Sequence, residues 1–359
     1  MLTTYYTYRA LAGEWNVLLS DKLVAGAYSS GKNELVIHFT DETAIVFGYH
    51  GRLRYLFRSE RSSKPRRNVV ALLPSVEGLR ISGVEIAHRD RIMTLRCGKT
   101  VDLVFLLFGA RPNVMVTRDG EVVDAFKFRQ RLVGGNAPVG QPARETVTAD
   151  ELASFAGNGD VSNRKAVATA FRLMDATLAS EVVLRCGLDP EGSFKEVDAE
   201  LLFGSAQEVV GLLVGSPKPR IYWRDGVAET FSLIELSAMA EFEEETFDTV
   251  DLAVSVFCRR RLAQGRLSER RDPVLRAVDD ALQRAERRTR ELAERLSRPS
   301  RADAYERWGH LLMASGRGDA SGMTTITLDD MFEGSGEIEI PLKEDLSVIE
   351  NAQDYYGRA

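Results

Sequence analysis

Residues 84–128 read VEIAHRDRIMTLRCGKTVDLVFLLFGARPNVMVTRDGEVVDAFKF, and this stretch predicts four consecutive β-strands. In residues 93–97 apolar and polar side chains alternate, as in a half-buried strand. Residues 101–108 are nearly all apolar, as expected for a central strand covered on both faces. Two further strand-like segments flank Asp119-Gly120, a pair that strongly favours a hairpin turn. We therefore expect an antiparallel sheet here.

Two features of this stretch are not needed to form a sheet, namely the pair Asp90-Arg91 and the loop at 109–113. A local ion pair at a strand entrance explains Asp90-Arg91, and on spacing alone this is the favoured interpretation. The functional interpretation is an arginine directed at a phosphate or base edge, with the aspartate fixing the geometry of its guanidinium.

The chain has 359 residues, of which 44% are hydrophobic and 28% charged, so it predicts two or three water-soluble domains. No run of residues is long and apolar enough for a membrane span, and the amino terminus does not resemble a signal peptide. The three cysteines are widely spaced in apolar segments, which predicts reduced thiols and a cytoplasmic protein.

The net charge of −6 argues against an indiscriminate binder of polyanions, but the charge is unevenly distributed. Residues 51–70 hold seven basic side chains and one acid, whereas residues 329–359 hold nine acids and two basic side chains. The basic segment is a candidate phosphate-binding surface. A solvated basic loop explains the same charges, and from charge alone this is the favoured interpretation.

The first domain reads as α+β. A helix is predicted over 4–19, and three strands over 24–28, 34–39 and 43–47. The basic loop then leads to a short helix predicted over 67–73 and ended by Pro74.

A linker rich in glycine and proline is predicted at 131–144. Helices over 149–156, 163–171 and 176–186 follow, and they fit either a helix-hairpin-helix-like unit that presents backbone amides to phosphate or a small packing module. A further helix is predicted over 201–213, with two strands around Asp225-Gly226 after it.

The carboxy-terminal third is predicted to be mainly helical. A helix is expected over 247–260, and from Pro273 a heptad seam runs for about three heptads, as in a coiled coil. Another helix is predicted over 302–313, and a short β segment over 324–341.

Catalytic motifs are absent from the sequence: it contains no P-loop, nucleophile elbow, HExxH or paired CxxC. The four histidines have no metal-ligand spacing, and the acids around Phe242 are interpreted as a solvated helix face. We therefore expect neither enzymatic activity nor a metal or cofactor.

Several motifs, in order along the chain, resemble those of the NFACT family, which includes RqcH and the FbpA-type "fibronectin-binding" proteins. They are Asp90-Arg91 with its apolar strand and Gly-x-x-x-Asn loop, Leu184-Arg185-Cys186-Gly187-Leu188, the segment AYERWGHLL at 304–312, Ile340-Pro341-Leu342, and SVIENAQDYY at 347–356. The last of these is the most specific.

The resemblance implies an α+β NFACT amino-terminal domain over 1–146, a helix-hairpin-helix-like region with added strands over 147–258, and the truncated base of a coiled-coil middle domain over 259–359. It also implies a cytoplasmic ribosome-associated quality-control factor. Such a factor binds tRNA and the obstructed large ribosomal subunit with its peptidyl-tRNA, and it recruits alanyl-tRNA for carboxy-terminal tailing of stalled nascent chains.

The family's Asp-Arg pair, needed for tRNA engagement, corresponds to Asp90 and Arg91, and we add Arg111 and Asn113 from the neighbouring loop as candidate tRNA contacts. The candidate phosphate contacts in the basic segment are Arg52, Arg54, Arg58, Arg61, Lys64, Arg66 and Arg67. This sequence ends at Ala359, where the family continues into a long coiled coil and a carboxy-terminal RNA-binding domain, and Pro112 replaces a usual serine.

Two alternative functions compete with the quality-control role. The main alternative is a fibronectin-binding surface adhesin, which requires export. The second is an enzyme related to formamidopyrimidine-type DNA glycosylases, which act through an amino-terminal proline; Leu2 occupies that place here.

Overall fold

The computed structural model describes residues 1–63, 68–109, 112–141, 148–154, 161–297, 300–317, 322–332, 334 and 336–359. The chain forms two compact units, Met1–Arg270 and Arg271–Ala359. Both helices and antiparallel sheets are present, so the α+β prediction is confirmed.

Helix α1 (Tyr5–Leu18) opens the first unit and is followed by a five-stranded antiparallel sheet of order β4-β3-β2-β1-β5. The strands of this sheet are β1 (Val24–Gly31), β2 (Glu34–Phe39), β3 (Ala44–His50), β4 (Leu53–Ser59) and β5 (Val70–Leu72). Strand β4 lies inside the segment predicted to be a basic loop. The helix predicted over 67–73 is wrong, because β5 pairs there with β1 and Pro74 opens a short 3-10 turn.

The strands between residues 81 and 125 form a second antiparallel sheet, of order β10-β9-β8-β7-β6. Its strands are β6 (Ile81–Ile86), β7 (Ile92–Cys97), β8 (Val101–Leu106), β9 (Asn113–Arg118) and β10 (Glu121–Ala125). The sequence predicts four strands in this sheet, whereas the structure has five, because the sequence did not predict β6. The apolar strand β8 is central, and Asp119 and Gly120 both take positive φ in the predicted turn.

The two sheets share one core. The rings of Phe47 on β3 and Phe105 on β8 meet edge to face, 5.9 Å between centroids, and Trp15 and Leu11 of α1 are fully buried in the same cluster. Burial also raises the pKa of the Cys97 thiol to about 12, so this cysteine stays a neutral packing residue.

Short helices and a small sheet complete the first unit. The helices are α2 (Arg129–Leu132), α3 (Ala149–Ser154), α4 (Asn163–Ala170), α5 (Ala176–Arg185) and α6 (Ala199–Gly215). The sheet, of order β12-β11-β13, contains β11 (Arg220–Arg224), β12 (Val227–Ser232) and β13 (Glu243–Thr246). The acids around Phe242 thus lie on and beside an exposed edge strand, not on the helix face that the sequence predicted.

Helix α7 (Val250–Ser297) begins in the first unit and ends in the second. It joins the two separately predicted helices into one and passes through Pro273. The leucines of the heptad seam, among them Leu275 and Leu282, are exposed among the described residues, so the coiled coil stays a prediction.

The rest of the second unit packs around its own small core. It contains α8 (Ala302–Ala314), β14 (Thr325–Asp329), β15 (Glu337–Pro341) and α9 (Val348–Arg358). Ser347 and Glu350 form a capping box at the start of α9. The Asn351 amide is buried and bonds the backbone of Lys343, Leu346 and Ser347, so this residue of the SVIENAQDYY segment has a structural role.

The amino terminus of α7 is held by a buried polar cluster. Asp251 is 3% exposed and accepts hydrogen bonds from Trp15 Nε1 at 2.7 Å and Arg58 Nε at 2.9 Å. The Glu14 carboxylate accepts from the backbone amides of Val250 and Asp251, each at 2.7 Å. These amides have no partner within the helix, so Glu14 caps α7 from a different element. Burial nevertheless raises the Glu14 pKa.

We expect Asp251→Ala to destabilise the first unit by about 3–5 kcal/mol, because it removes the buried carboxylate that pairs with the 13%-exposed Arg58 guanidinium and accepts from the Trp15 N–H. Urea unfolding followed by far-UV circular dichroism measures this loss. Asp248→Ala is the matched control, since it removes the same charge from an exposed position three residues earlier. A loss below about 1 kcal/mol in Asp251→Ala would show that the cluster does not hold the helix.

Candidate nucleic-acid interface

The pair Asp90-Arg91 lies in the tight turn between β6 and β7. The Ala87 amide donates to the Ile92 carbonyl at 2.8 Å and the Asp90 amide donates to the Ala87 carbonyl, which closes the turn. Arg89 has φ 53°, a left-handed conformation that is uncommon for a residue other than glycine. Strain of this kind often accompanies a functional site, because the surrounding structure must hold it in place.

Asp90 holds the backbone of this turn. Its Oδ1 accepts from the Arg91 amide at 2.7 Å and its Oδ2 from the Gln141 amide at 2.9 Å. A Cβ added to Gly140 would lie 2.8 Å from the Ala87 Cβ, so the segment before Gln141 can pack closely only because residue 140 is glycine. The expectation that Asp90 fixes the Arg91 guanidinium is wrong, since its carboxylate bonds backbone amides instead.

The Arg91 side chain lines a cavity of about 310 Å³, here called the Arg91 cavity. Its guanidinium is half-buried and donates to the Thr3 carbonyl at 3.2 Å. The walls come from the segment before and at the start of α1, the β6–β7 turn, Gln141 and the loop between α4 and α5. The lining residues are Thr3, Thr4, Tyr5, Arg89, Asp90, Arg91, Gln141, Arg172, Leu173, Met174 and Asp175.

Both acids in this lining are already bonded by other groups. Asp90 bonds the two amides, while Asp175 caps α5 through the Leu178 amide and lies 3.0 Å from the α-ammonium group of Met1. Among the described residues no carboxylate lies within ion-pair distance of the Arg91 or Arg172 guanidinium. The cavity is therefore suited to an anion, above all one with the oxygen geometry of a phosphate.

Helices α4 and α5 form a hairpin whose connecting loop, residues 171–175, contributes Arg172 and Leu173 to the Arg91 cavity. The side chains of Ser162 and Asp175 cap the amino termini of the two helices. The sequence left open whether this hairpin binds a ligand or merely packs. Its loop lies beside the Asp-Arg turn, which favours the binding interpretation.

The basic segment contributes to a second concavity, which shares Thr3 with the lining of the Arg91 cavity. Arg52 and Arg54 line it together with Thr3, Tyr49, Gly51 and Pro112, and its volume is about 510 Å³. The Arg54 guanidinium donates to the Gly109 carbonyl at 2.6 Å, so one wall reaches the loop that begins at 109. We call this concavity the Tyr49 cavity.

The remaining candidates are not gathered at these cavities. Arg58 is 13% exposed and ion-paired with Asp251 at 2.8 Å, which gives it a structural role. Asn113 is 3% exposed and its side chain bonds the backbone of Lys127 and Val114, which ties β9 to the end of β10. Arg61 is exposed on the surface. Arg111, Lys64, Arg66 and Arg67 lie outside the described residues.

Sequence reasoning missed Thr3, Arg89 and Arg172. Arg89 adjoins the motif. Its backbone is left-handed, a conformation that a glycine usually indicates in a sequence, and this position is not a glycine. Thr3 and Arg172 are 88 and 81 positions away from Arg91 in the sequence, so no local pattern could have joined them to it. Their proximity follows only from tertiary packing, in which α1 contacts both β6 and α6, and α6 in turn contacts α5 of the α4–α5 hairpin.

The described part of the chain holds no cluster of three histidine, cysteine, aspartate or glutamate side chains placed to bind a metal ion. It also holds no helix that is both long and apolar enough to cross a bilayer.

Similarity to known proteins extends over almost the whole chain. A family model described as NFACT N-terminal and middle domains matches residues 5–359. The fibrinogen binding protein from Staphylococcus aureus is structurally similar, with a TM-score of 0.51 and 12% identity over 71% of this chain and 98% of that chain. The N-terminal part of the fibronectin/fibrinogen-binding protein from Streptococcus suis gives 0.50 and 12% over the same shares. At such identities the likeness shows the fold. No curated protein sequence matches the chain.

We expect Asp90→Ala to release the segment at 139–141 and the β6–β7 turn, because two backbone amides lose their acceptor. Asp90→Asn keeps one side-chain oxygen and should release only one of the two amides. Hydrogen–deuterium exchange at the Arg91 and Gln141 amides measures both effects, with the amides of β8 as internal reference. Unchanged protection in Asp90→Ala would show that Asp90 does not hold the turn.

Proposed function

The chain belongs to the NFACT family, and on that premise we propose that it is a ribosome-associated quality-control factor that binds tRNA through the Arg91 cavity. In this proposal it acts in the cytoplasm on a large ribosomal subunit obstructed by peptidyl-tRNA. It recruits alanyl-tRNA, so that the stalled nascent chain gains a carboxy-terminal alanine tail.

The observation that carries the proposal is the surroundings of Arg91. Arg89, Arg91 and Arg172 line one concavity, and the acids in its lining already have hydrogen-bond or ion-pair partners. Guanidinium groups bind phosphate oxygens in a paired geometry, which favours this cavity as a contact for a nucleic-acid backbone.

The Tyr49 cavity supports an extended ligand. Thr3 lines both cavities, so Arg52 and Arg54 in one lining and Arg91 in the other share this residue as a neighbour. A ligand that places phosphates in both cavities must carry several of them, as tRNA does. Because the whole chain has a net charge of −6, a local basic surface gives selective attraction without indiscriminate binding.

Catalysis is no part of the proposal. Peptide transfer in such a complex belongs to the ribosome, and this chain has only to hold tRNA in place. The proposed contact surface does not include Arg58 or Asn113, because Arg58 forms an ion pair with Asp251 and Asn113 bonds the backbone of Lys127.

The names of the two similar structures motivate an alternative, a surface protein that binds fibronectin or fibrinogen. Nothing in the basic cavities favours it over tRNA binding. Binding to immobilised fibronectin that is unaffected by Arg91→Ala, combined with no affinity for tRNA, would favour the alternative.

For tRNA binding we expect Arg91→Ala to weaken the affinity for unfractionated bacterial tRNA by about tenfold. The slope of log K against log salt should also fall by about 1, because one phosphate contact is lost. Arg91→Lys should retain more of the salt slope than of the affinity, since it keeps the charge but not the planar guanidinium. Fluorescence anisotropy across a salt series measures both quantities.

Arg118→Ala is the matched control for this measurement. It removes the same charge from an exposed position at the end of β9 and does not line either cavity. Equal, salt-insensitive affinity in the wild type and Arg91→Ala would overturn the tRNA role.

The choice of tRNA is tested separately, by sequencing the RNA that co-purifies with the chain from cells. We expect tRNA to be enriched over other small RNAs, and alanine tRNA to be enriched over other tRNAs. The comparison is with RNA that co-purifies with Arg91→Ala. An even mixture of tRNA species would contradict selective recruitment of alanyl-tRNA while leaving tRNA binding intact.

A further inference from the structure

An apolar groove adjoins the Arg91 cavity and shares part of its wall. Arg89, Arg172 and Leu173 line both concavities, and the groove has a volume of about 360 Å³. Helix α6 closes its far side with Phe203 and Gly211. We call it the Phe203 groove.

The interior of the groove is suited to a flat apolar group. Phe171 from the α4–α5 loop and Phe203 from α6 lie with their ring centroids 6.1 Å apart and their planes 37° from parallel. Both rings are half-buried, so part of each ring surface is open to solvent. At Gly211 the helix presents bare backbone to the groove, and an added Cβ would meet nothing within 4 Å.

The rim of the groove is basic. Arg89 and Arg172 stand on the wall shared with the Arg91 cavity. Arg9 donates to the carbonyl of Val214, which lines the groove at the end of α6. Burial raises the pKa of Tyr6, a lining residue, and the positive charges of Arg89 and Arg9 oppose that rise. An apolar interior beside cations favours a ligand that joins a flat apolar group to an anion.

We propose that the Phe203 groove holds a nucleobase whose phosphate lies in the Arg91 cavity. The inference rests on the proposed function, under which the base is an unpaired one of the bound tRNA. A base presents a flat face for stacking on Phe171 or Phe203 and a polar edge for the Gln207 amide. An apolar peptide side chain would match the interior but would supply no anion to the adjoining Arg172, which has no carboxylate within ion-pair distance among the described residues.

Two variants of α6 test the groove without removing any side chain from it. Gly211→Leu adds a side chain at a position that lines the groove. Gly204→Leu adds the same side chain to the same helix at an exposed position outside the groove lining, where an added Cβ again meets nothing within 4 Å. Leucine favours a helix more than glycine does, so both variants are expected to fold.

The probes are a twelve-residue oligouridylate, an abasic strand of the same length and charge, and uridine monophosphate. We expect the wild type to bind oligouridylate about tenfold more tightly than the abasic strand, since stacking adds affinity that phosphates alone do not supply. Gly211→Leu should lose most of that preference but keep the salt slope. Gly204→Leu should resemble the wild type.

The possible results separate this inference from the proposed function. If oligouridylate binding depends on salt and on Arg91 but Gly211→Leu keeps the preference for bases, the groove inference is overturned and RNA binding stands. If only uridine monophosphate binds, and Gly211→Leu abolishes that binding, the groove takes a nucleobase but the tRNA role is wrong. Absence of binding to all three probes would overturn both.

Discussion

The buried carboxylate of Asp251 is the contact on which the architecture of the first unit depends. It bonds Trp15 of α1 and Arg58 of β4, and thereby joins the first helix, the first sheet and the start of α7 at one point. Glu14 adds the cap that the first amides of α7 need. A charge so deeply buried is tolerated only because each of its oxygens has a donor.

This cluster also fixes the position of α1, and with it the segment that precedes the helix. Thr3 lies in that segment, where its carbonyl accepts from the Arg91 guanidinium. The same residue lines both the Arg91 cavity and the Tyr49 cavity. The geometry of the candidate interface is therefore set by packing that involves neither cavity directly, and a rigid support of this kind lets arginine side chains act at fixed separations.

Polar residues in this protein divide into those that hold the backbone and those that face a cavity. Asp90 and Asn113 belong to the first group, because their side chains satisfy backbone amides at the ends of strands. Arg91 and Arg172 belong to the second. Residues of both groups look alike in a sequence, since each is a polar residue close to the end of a helix or strand, and only the hydrogen-bond partners separate them.

The sequence by itself determined the central strands, the Asp119-Gly120 hairpin and most helices, because alternation, turn chemistry and helical periodicity are local properties. It also located Asp90-Arg91 and the family to which they belong. Local pattern failed for β5, which exists because β1 offers it a partner, and for Arg58, whose charge is buried by a helix that begins almost two hundred residues later. Only the tertiary structure decided that Arg91 and Arg172 line one cavity beside an apolar groove, because burial and proximity between distant segments depend on packing and leave no periodic trace in the chain.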